Sequence, residues 1–227
     1  MTQVTETGVP IVTAGAEVGG LRARKKARLR EELITIALRL FEQQGFEETS
    51  VQQIADTAQV TRRTFHRYFP SKKYVVFGHE EGVMAEVFAA LERRPVGESA
   101  LTALRGALRD YLLDPDAASE RQHQADTARR ARQLLHANPT LRGENFALAM
   151  TREQALAQRF AARAGLPADD LGPQLLAACC FAGLGVAQDH WMRGTDHSLA
   201  ALHQALDHTL AIMQDGIDIP AEPNSDR

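Results

Sequence analysis

The sequence predicts an all-α protein of about nine helices: a three-helix, helix-turn-helix unit at the N-terminal end, then a larger helical domain. Three observations predict it. Apolar residues recur at helical spacing along most of the chain. Pro115, Pro139, Pro167 and Gly194 fall between those stretches and break them apart. No stretch shows the strict alternation of a strand, and the second half is rich in Ala and Leu, which favour helix packing.

Residues 1–20 are rich in Thr, Gly and Val and keep no period, so they read as a disordered tail. The next domain spans 21–73. Its arm carries Arg22, Arg24, Lys25, Lys26, Arg28 and Arg30 within nine residues, a repulsive run that a phosphate backbone would neutralise. A helix follows on which Leu33, Ile36, Ala37, Leu40 and Phe41 share a face, and Gly45 is placed to end it. Thr49 and Ser50 offer cap oxygens for a helix from Val51 to Ala58, with Val51, Ile54, Ala55 and Ala58 inward. After a break at Gln59 and Val60, Thr61 can cap a helix through Phe69, and Pro70 ends it.

The domain from 74 to 219 reads as helices near Ser71–Arg94, Glu98–Leu113, Ala118–Ala137, Thr140–Gly165, Asp169–Arg193 and Ser198–Gly216. Pro115, Pro139, Gly165 with Pro167, and Gly194 mark the breaks. Residues 220–227 form a polar tail.

Charge divides the chain unevenly. Leu21 to Lys73 holds twelve Lys and Arg against six Asp and Glu, while the rest carries 14 basic and 23 acidic residues. A basic end on an acidic body points to a polyanion as partner. The segment from Val51 to Phe69 suits a helix-turn-helix whose second helix enters the major groove of double-stranded DNA. Phe65 and Phe69, four apart, would anchor that helix, leaving Arg62, Arg63, Thr64, His66 and Arg67 outward. Arg can donate two hydrogen bonds to guanine, and Thr can meet a thymine methyl or a phosphate. Tyr68, Lys72 and Lys73 lie where the helix exits and suit phosphate contacts.

Other chemistries find little support. No nucleophile elbow, phosphate-cradling loop or HExxH occurs, so no enzyme is read. The two cysteines, Cys179 and Cys180, are neighbours and cannot form an ordinary disulfide, which fits a reducing, cytoplasmic setting. The first twenty residues lack the basic start of a secretory signal, and the uncharged run Leu175–Ala187 is too short to span a membrane. No cofactor is implied. Two alternatives stay open: a metal-responsive protein using His197, His203, Asp207 and His208, and a DNA binder indifferent to sequence.

The stretches ITIALRLFEQQGFEETSVQQIADTAQV and TRRTFHRYFPSKKYVV resemble the DNA-binding domain of the tetracycline-repressor (TetR) family. The RRTF-x-RYFPSK wording is similar to an actinobacterial subgroup that includes the mycofactocin-system regulators. The resemblance implies a dimeric regulator, usually a repressor at a palindromic operator, released by a small-molecule effector bound in the C-terminal domain. It implies DNA contacts at Thr49, Thr61, Arg62, Arg63, Thr64, His66, Tyr68 and Lys72, to which the charge pattern adds Arg24, Lys25 and Lys26 of the arm and the outward Arg67. Three positions depart from the family's habit: Gln59 and Arg63 stand where Gly is frequent, and His66 where Tyr is. By the same resemblance the last two long helices pair with a second subunit, with Leu199, Leu202, Leu206 and Leu210 as the apolar stripe. Candidate effector contacts are Tyr111, Phe146, Met150, Phe181, Gln188 and Trp191, a mostly aromatic set suited to an apolar pocket.

Overall fold

A computed structural model describes residues 14–217. Among these residues it holds nine α-helices, a single 3₁₀ turn at Pro115–Ala117 and no strand. In chain order the helices are α1 (Ala14–Gln44), α2 (Val51–Thr57), α3 (Arg62–Tyr68), α4 (Lys73–Glu92), α5 (Ala100–Leu112), α6 (Ala118–Ala137), α7 (Pro139–Ala164), α8 (Leu171–Arg193) and α9 (Leu199–Asp215). The chain divides into two compact units, Met1–Lys72 and Lys73–Arg227.

Of the tail expected over 1–20, residues 1–13 lie outside the described residues, while 14–20 are the first turns of α1. Once packed turns downstream have nucleated a helix, adding residues to its end costs little. The tail expected over 220–227 also lies outside the described residues.

Local chemistry sets most boundaries. Ser50 caps α2 in a full capping box: its hydroxyl accepts from the Gln53 amide at 3.2 Å, and the Gln53 side chain accepts from the Ser50 amide at 2.8 Å. Thr61, Ser99, Asp170 and Ser198 cap α3, α5, α8 and α9 through side-chain oxygens. Pro139, expected as a break, is the first residue of α7, where a missing N–H costs nothing. Gly165 closes that helix in the left-handed region at φ 66°.

In the smaller unit, α1 buries Leu33, Ile34, Ala37, Leu38 and Phe41 and packs on α2, which buries Ile54 and Ala55 and packs in turn on α3 with its buried Phe65. Ile36 and Leu40, expected on that face, are half-buried instead. The helix presents a broader apolar arc than one stripe, and packing selects which edge goes deepest.

The break between α2 and α3 is strained. The Gln59 amide donates to the Asp56 carbonyl at 3.0 Å and the Val60 amide to the Ala55 carbonyl at 2.9 Å, a Schellman closure. It forces Gln59 to φ 54°, where a Cβ is crowded by the backbone. Gln59→Gly is therefore expected to stabilise the smaller unit by ~1 kcal/mol, raising its melting temperature by a few degrees. Thermal denaturation followed by circular dichroism checks this; an unchanged or lower midpoint would contradict it.

In the larger unit α8 lies between α7 and α9 and buries Pro173, Ala177, Cys180, Ala187 and Trp191. By length and composition α8 could cross a membrane, since the helix extends beyond the uncharged run inside it; Ala177, Cys180, Ala187 and Trp191 nonetheless belong to the larger unit's core. Burial pushes the Cys180 thiol up to about 12, so it stays protonated and acts as a small apolar side chain. A Cβ on Gly183 would come within 2.9 Å of the Met213 methyl and 3.0 Å of the Thr209 methyl, so this glycine serves the close approach of α8 and α9 within one chain.

Candidate nucleic-acid interface

Two-turn α3 is fixed from three directions. Phe65 and Phe69 are fully buried with ring centroids 5.6 Å apart. At its start the Thr61 hydroxyl accepts from the Thr64 amide at 3.1 Å and lies 3.0 Å from the Thr64 hydroxyl. At its end the Arg30 guanidinium of α1 stacks over the Phe69 ring, 5.2 Å from its centroid.

With the phenylalanines inward, Arg62, Arg63, His66 and Arg67 are exposed, and Thr64 and Tyr68 half-buried. The first turn of α3 holds no acidic residue, and Arg62, Arg63 and Arg67 form no ion pair among the described residues. Arg67 instead lies over the Tyr68 ring at 5.3 Å. The helix thus offers several guanidinium donors whose acceptors must come from outside the chain. Lys25, Lys26 and Arg28 are exposed along α1, while the side chain of Arg24 lies outside the described residues.

Two expected phosphate contacts are placed otherwise. Thr49 is only 1% exposed. Its hydroxyl donates to the Gly45 carbonyl at 2.7 Å and accepts from the side-chain Nε2 of Gln44 at 3.1 Å, so it knits the turn between α1 and α2. The exposed hydroxyl at the start of α2 is that of Ser50. Lys72 donates to the carbonyls of Phe46, Glu47 and Thr49 at 2.6, 3.0 and 3.1 Å, which occupies all three ammonium hydrogens. Residues 23 to 26 positions apart meet here, and no short-range pattern announces such a pairing.

The six candidate effector contacts do not gather around one cavity. Tyr111 is core: its hydroxyl donates to Gln124 Oε1 at 2.6 Å, the Arg121 guanidinium covers its ring at 4.0 Å, and burial pushes its phenol up to about 12. Phe146 is 67% exposed and Met150 nearly as open. Phe181 packs half-buried on the core, Gln188 accepts from Arg132 at 3.1 Å, and Trp191 is buried edge-on to His197. A groove of about 370 Å³ lies instead between α4 and α7, floored by Met84, Phe88 and Ala155 and edged by Glu92, Arg152 and Arg159. The sequence reading missed it because its lining residues come from two helices and lie 59 to 78 positions apart in the chain.

The leucine stripe of α9 is also placed otherwise. Leu202, Leu206 and Leu210 are buried in the larger unit's own core, and Leu199 packs beside them. The exposed apolar face belongs to α8, where Leu171, Leu175, Ala182 and Val186 recur at helical spacing. Asp207, one of the four metal-ligand candidates, accepts two hydrogen bonds from Arg105 at 2.7 and 2.9 Å, and those bonds hold its carboxyl below the usual range.

Known proteins match both units. Residues 33–77 match the model for bacterial regulatory proteins of the tetR family, and residues 98–218 the model for the MftR C-terminal domain. The chain is 35% identical over 211 residues to the HTH-type transcriptional regulator TcmR of Streptomyces glaucescens, covering 90% of this chain and 91% of that one. It is 26% identical over 195 residues to MftR of Mycobacterium tuberculosis, a mycofactocin biosynthesis transcriptional regulator, covering 86% and 94%. The solved SmeT–triclosan complex shares the fold, with a TM-score of 0.53 and 21% identity over 88% of this chain and 100% of that one.

Proposed function

Because this chain belongs to the tetR family of bacterial regulatory proteins, we propose that it is a repressor that grips a palindromic operator as a homodimer and is released by a small-molecule effector. It is a transcription regulator and not an enzyme. The observation that carries the reading is the outer face of α3: Arg62, Arg63, His66 and Arg67 stand exposed on a helix whose other side is buried. An α-helix fits the major groove, and Arg63, in the first turn after the Thr61 cap, sits where such helices meet base edges. Lys25, Lys26 and Arg28 add phosphate contacts that raise affinity without reading sequence.

One α3 spans too few base pairs for useful genomic specificity, so two half-sites and two subunits are needed. The exposed stripe of α8 is the surface that supports self-association. The effector enters the larger unit, and the α4–α7 groove has a size that suits a small organic molecule. A DNA partner implies a cytoplasmic location.

Selection of bound sequences from random duplex DNA tests the reading. A palindrome with half-sites about one helical turn apart, roughly 34–36 Å, is expected. Recovery of no motif would favour sequence-indifferent binding. On the selected site Arg63→Ala is expected to cost roughly 1–3 kcal/mol and relax preference at one base position. Equal weakening on selected and random DNA would reduce Arg63 to a phosphate contact.

A further inference from the structure

We infer that Lys72 is a positioning residue: its ammonium ties the turn that enters α2 to the segment that leaves α3, so it sets the attitude of the DNA-reading helix and holds no phosphate itself. The inference rests on the DNA-binding reading and assigns Lys72 a role other than the one its sequence suggests.

The geometry is specific. A helix C-terminus and the turn after it leave carbonyls without intrahelical partners. After α1 ends at Gln44, three of these, on Phe46, Glu47 and Thr49, converge on one point. The Lys72 ammonium occupies it with three donors for three acceptors. The Phe46 ring lies beneath the charge, 4.5 Å from ring centroid to Nζ, and the Glu47 carboxylate stands 3.8 Å away. The side chain is only 22% exposed. A phosphate could draw the ammonium away only by leaving three carbonyls without this donor, two of them on the buried residues Phe46 and Thr49.

Placement gives the contact its consequence. The turn 45–49 leads directly into the Ser50 cap of α2. Phe69 ends α3, and Pro70 and Ser71 are all that separate it from Lys72. One ammonium therefore joins the two ends of the helix-turn-helix. A helix of seven residues has little rigidity of its own orientation, so its direction depends on such anchors. Bidentate base contacts tolerate displacement of only about 0.5 Å and about 10–20°. Loosening the exit of α3 would therefore degrade base reading before it degraded phosphate contact.

Arginine separates the two roles. It keeps the positive charge, but a planar guanidinium cannot place three donors on carbonyls that converge on a point. The test compares wild type, Lys72→Met and Lys72→Arg for affinity to the selected operator and to random DNA across salt concentrations, well below each melting midpoint. Both variants are expected to lose about tenfold in the ratio of operator to random affinity, with the salt slope of wild type. A slope shallower by about 0.9 in Lys72→Met, with Lys72→Arg behaving as wild type, would show a phosphate contact and overturn the inference. Lowered melting midpoints with wild-type ratios would show plain packing and overturn it too.

Should Lys72→Met not fold, the wild type carries the test. Its Lys72 ammonium resonance, protected from exchange, is expected to stay unchanged when operator is added. A shift with coupling to phosphorus would refute the assignment. Absence of operator binding by wild type would instead refute the DNA-binding reading itself.

Discussion

Phe65→Ala is expected to unfold the smaller unit and abolish binding to every DNA sequence. Phe65 is fully buried, packed on Phe69 and edge-on to His66. Truncating a core phenylalanine costs about 3–5 kcal/mol, from lost transfer energy and from the cavity left behind. A unit of this size holds only a few kcal/mol in reserve, because small cores bury a smaller share of their surface. Arg30 would also lose its target, since its guanidinium covers a Phe69 ring that no longer has Phe65 behind it. Circular dichroism should show a partial loss of helix, corresponding to α1–α3, while the larger unit keeps its own cooperative melt. The contrast with Arg63→Ala is the check, for that variant keeps its fold and loses only discrimination. A Phe65→Ala protein with wild-type melting and DNA affinity would mean that α3 is held by its cap and exit contacts alone.

The local parts of this fold could be read before any coordinates, and the reason is physical. Ser50, Thr61 and Gly45 act within three or four residues of themselves, so spacing alone reveals them. The inward turn of Phe65 and Phe69 follows from their four-residue interval on a helix. The basic face then becomes the outer face by exclusion.

What could not be read depends on contacts far apart in the chain. Lys72 looked like a surface cation because lysine usually is one; only the turn at 45–49 folding back onto it shows three carbonyls awaiting a donor. Thr49 similarly looked like a cap, yet its neighbour Ser50 took that role and left Thr49 to fill the turn. The stripe Leu202, Leu206, Leu210 announced a buried face without saying whether a chain buries it in itself or against a copy. Gly183 of α8, which lets that helix close onto Thr209 and Met213 of α9, resolves it toward packing within one chain.

That resolution changes which substitution should separate the two subunits of the proposed dimer. Leu175→Glu is expected to yield a folded protein that no longer associates, whereas Leu206→Glu is expected not to fold its larger unit at all. Leu206 is 5% exposed, within a core built from α4 through α9. A carboxylate there would lose its water with no partner gained, a mechanism behind destabilisation beyond about 4–5 kcal/mol. Leu175 is 59% exposed in the single chain, so a charge there costs the monomer little, within about 0.5 kcal/mol. In a two-fold contact over the α8 face the same residue occurs twice, and each new carboxylate would be stripped of water beside apolar Leu171, Ala182 and Val186 of either chain. Several kcal/mol of association would be lost, and about 4 kcal/mol corresponds to roughly a thousandfold in dissociation constant. Operator binding should fall with it, while weak binding to random DNA persists, because each folded monomer keeps its α3 and its basic arm. Light scattering and circular dichroism on the two variants, alongside operator titrations, separate the cases. A dimeric Leu175→Glu protein with normal operator affinity would move the interface off the α8 face. A folded, monomeric Leu206→Glu protein would return it to the α9 stripe, against the burial that places this leucine in its own core.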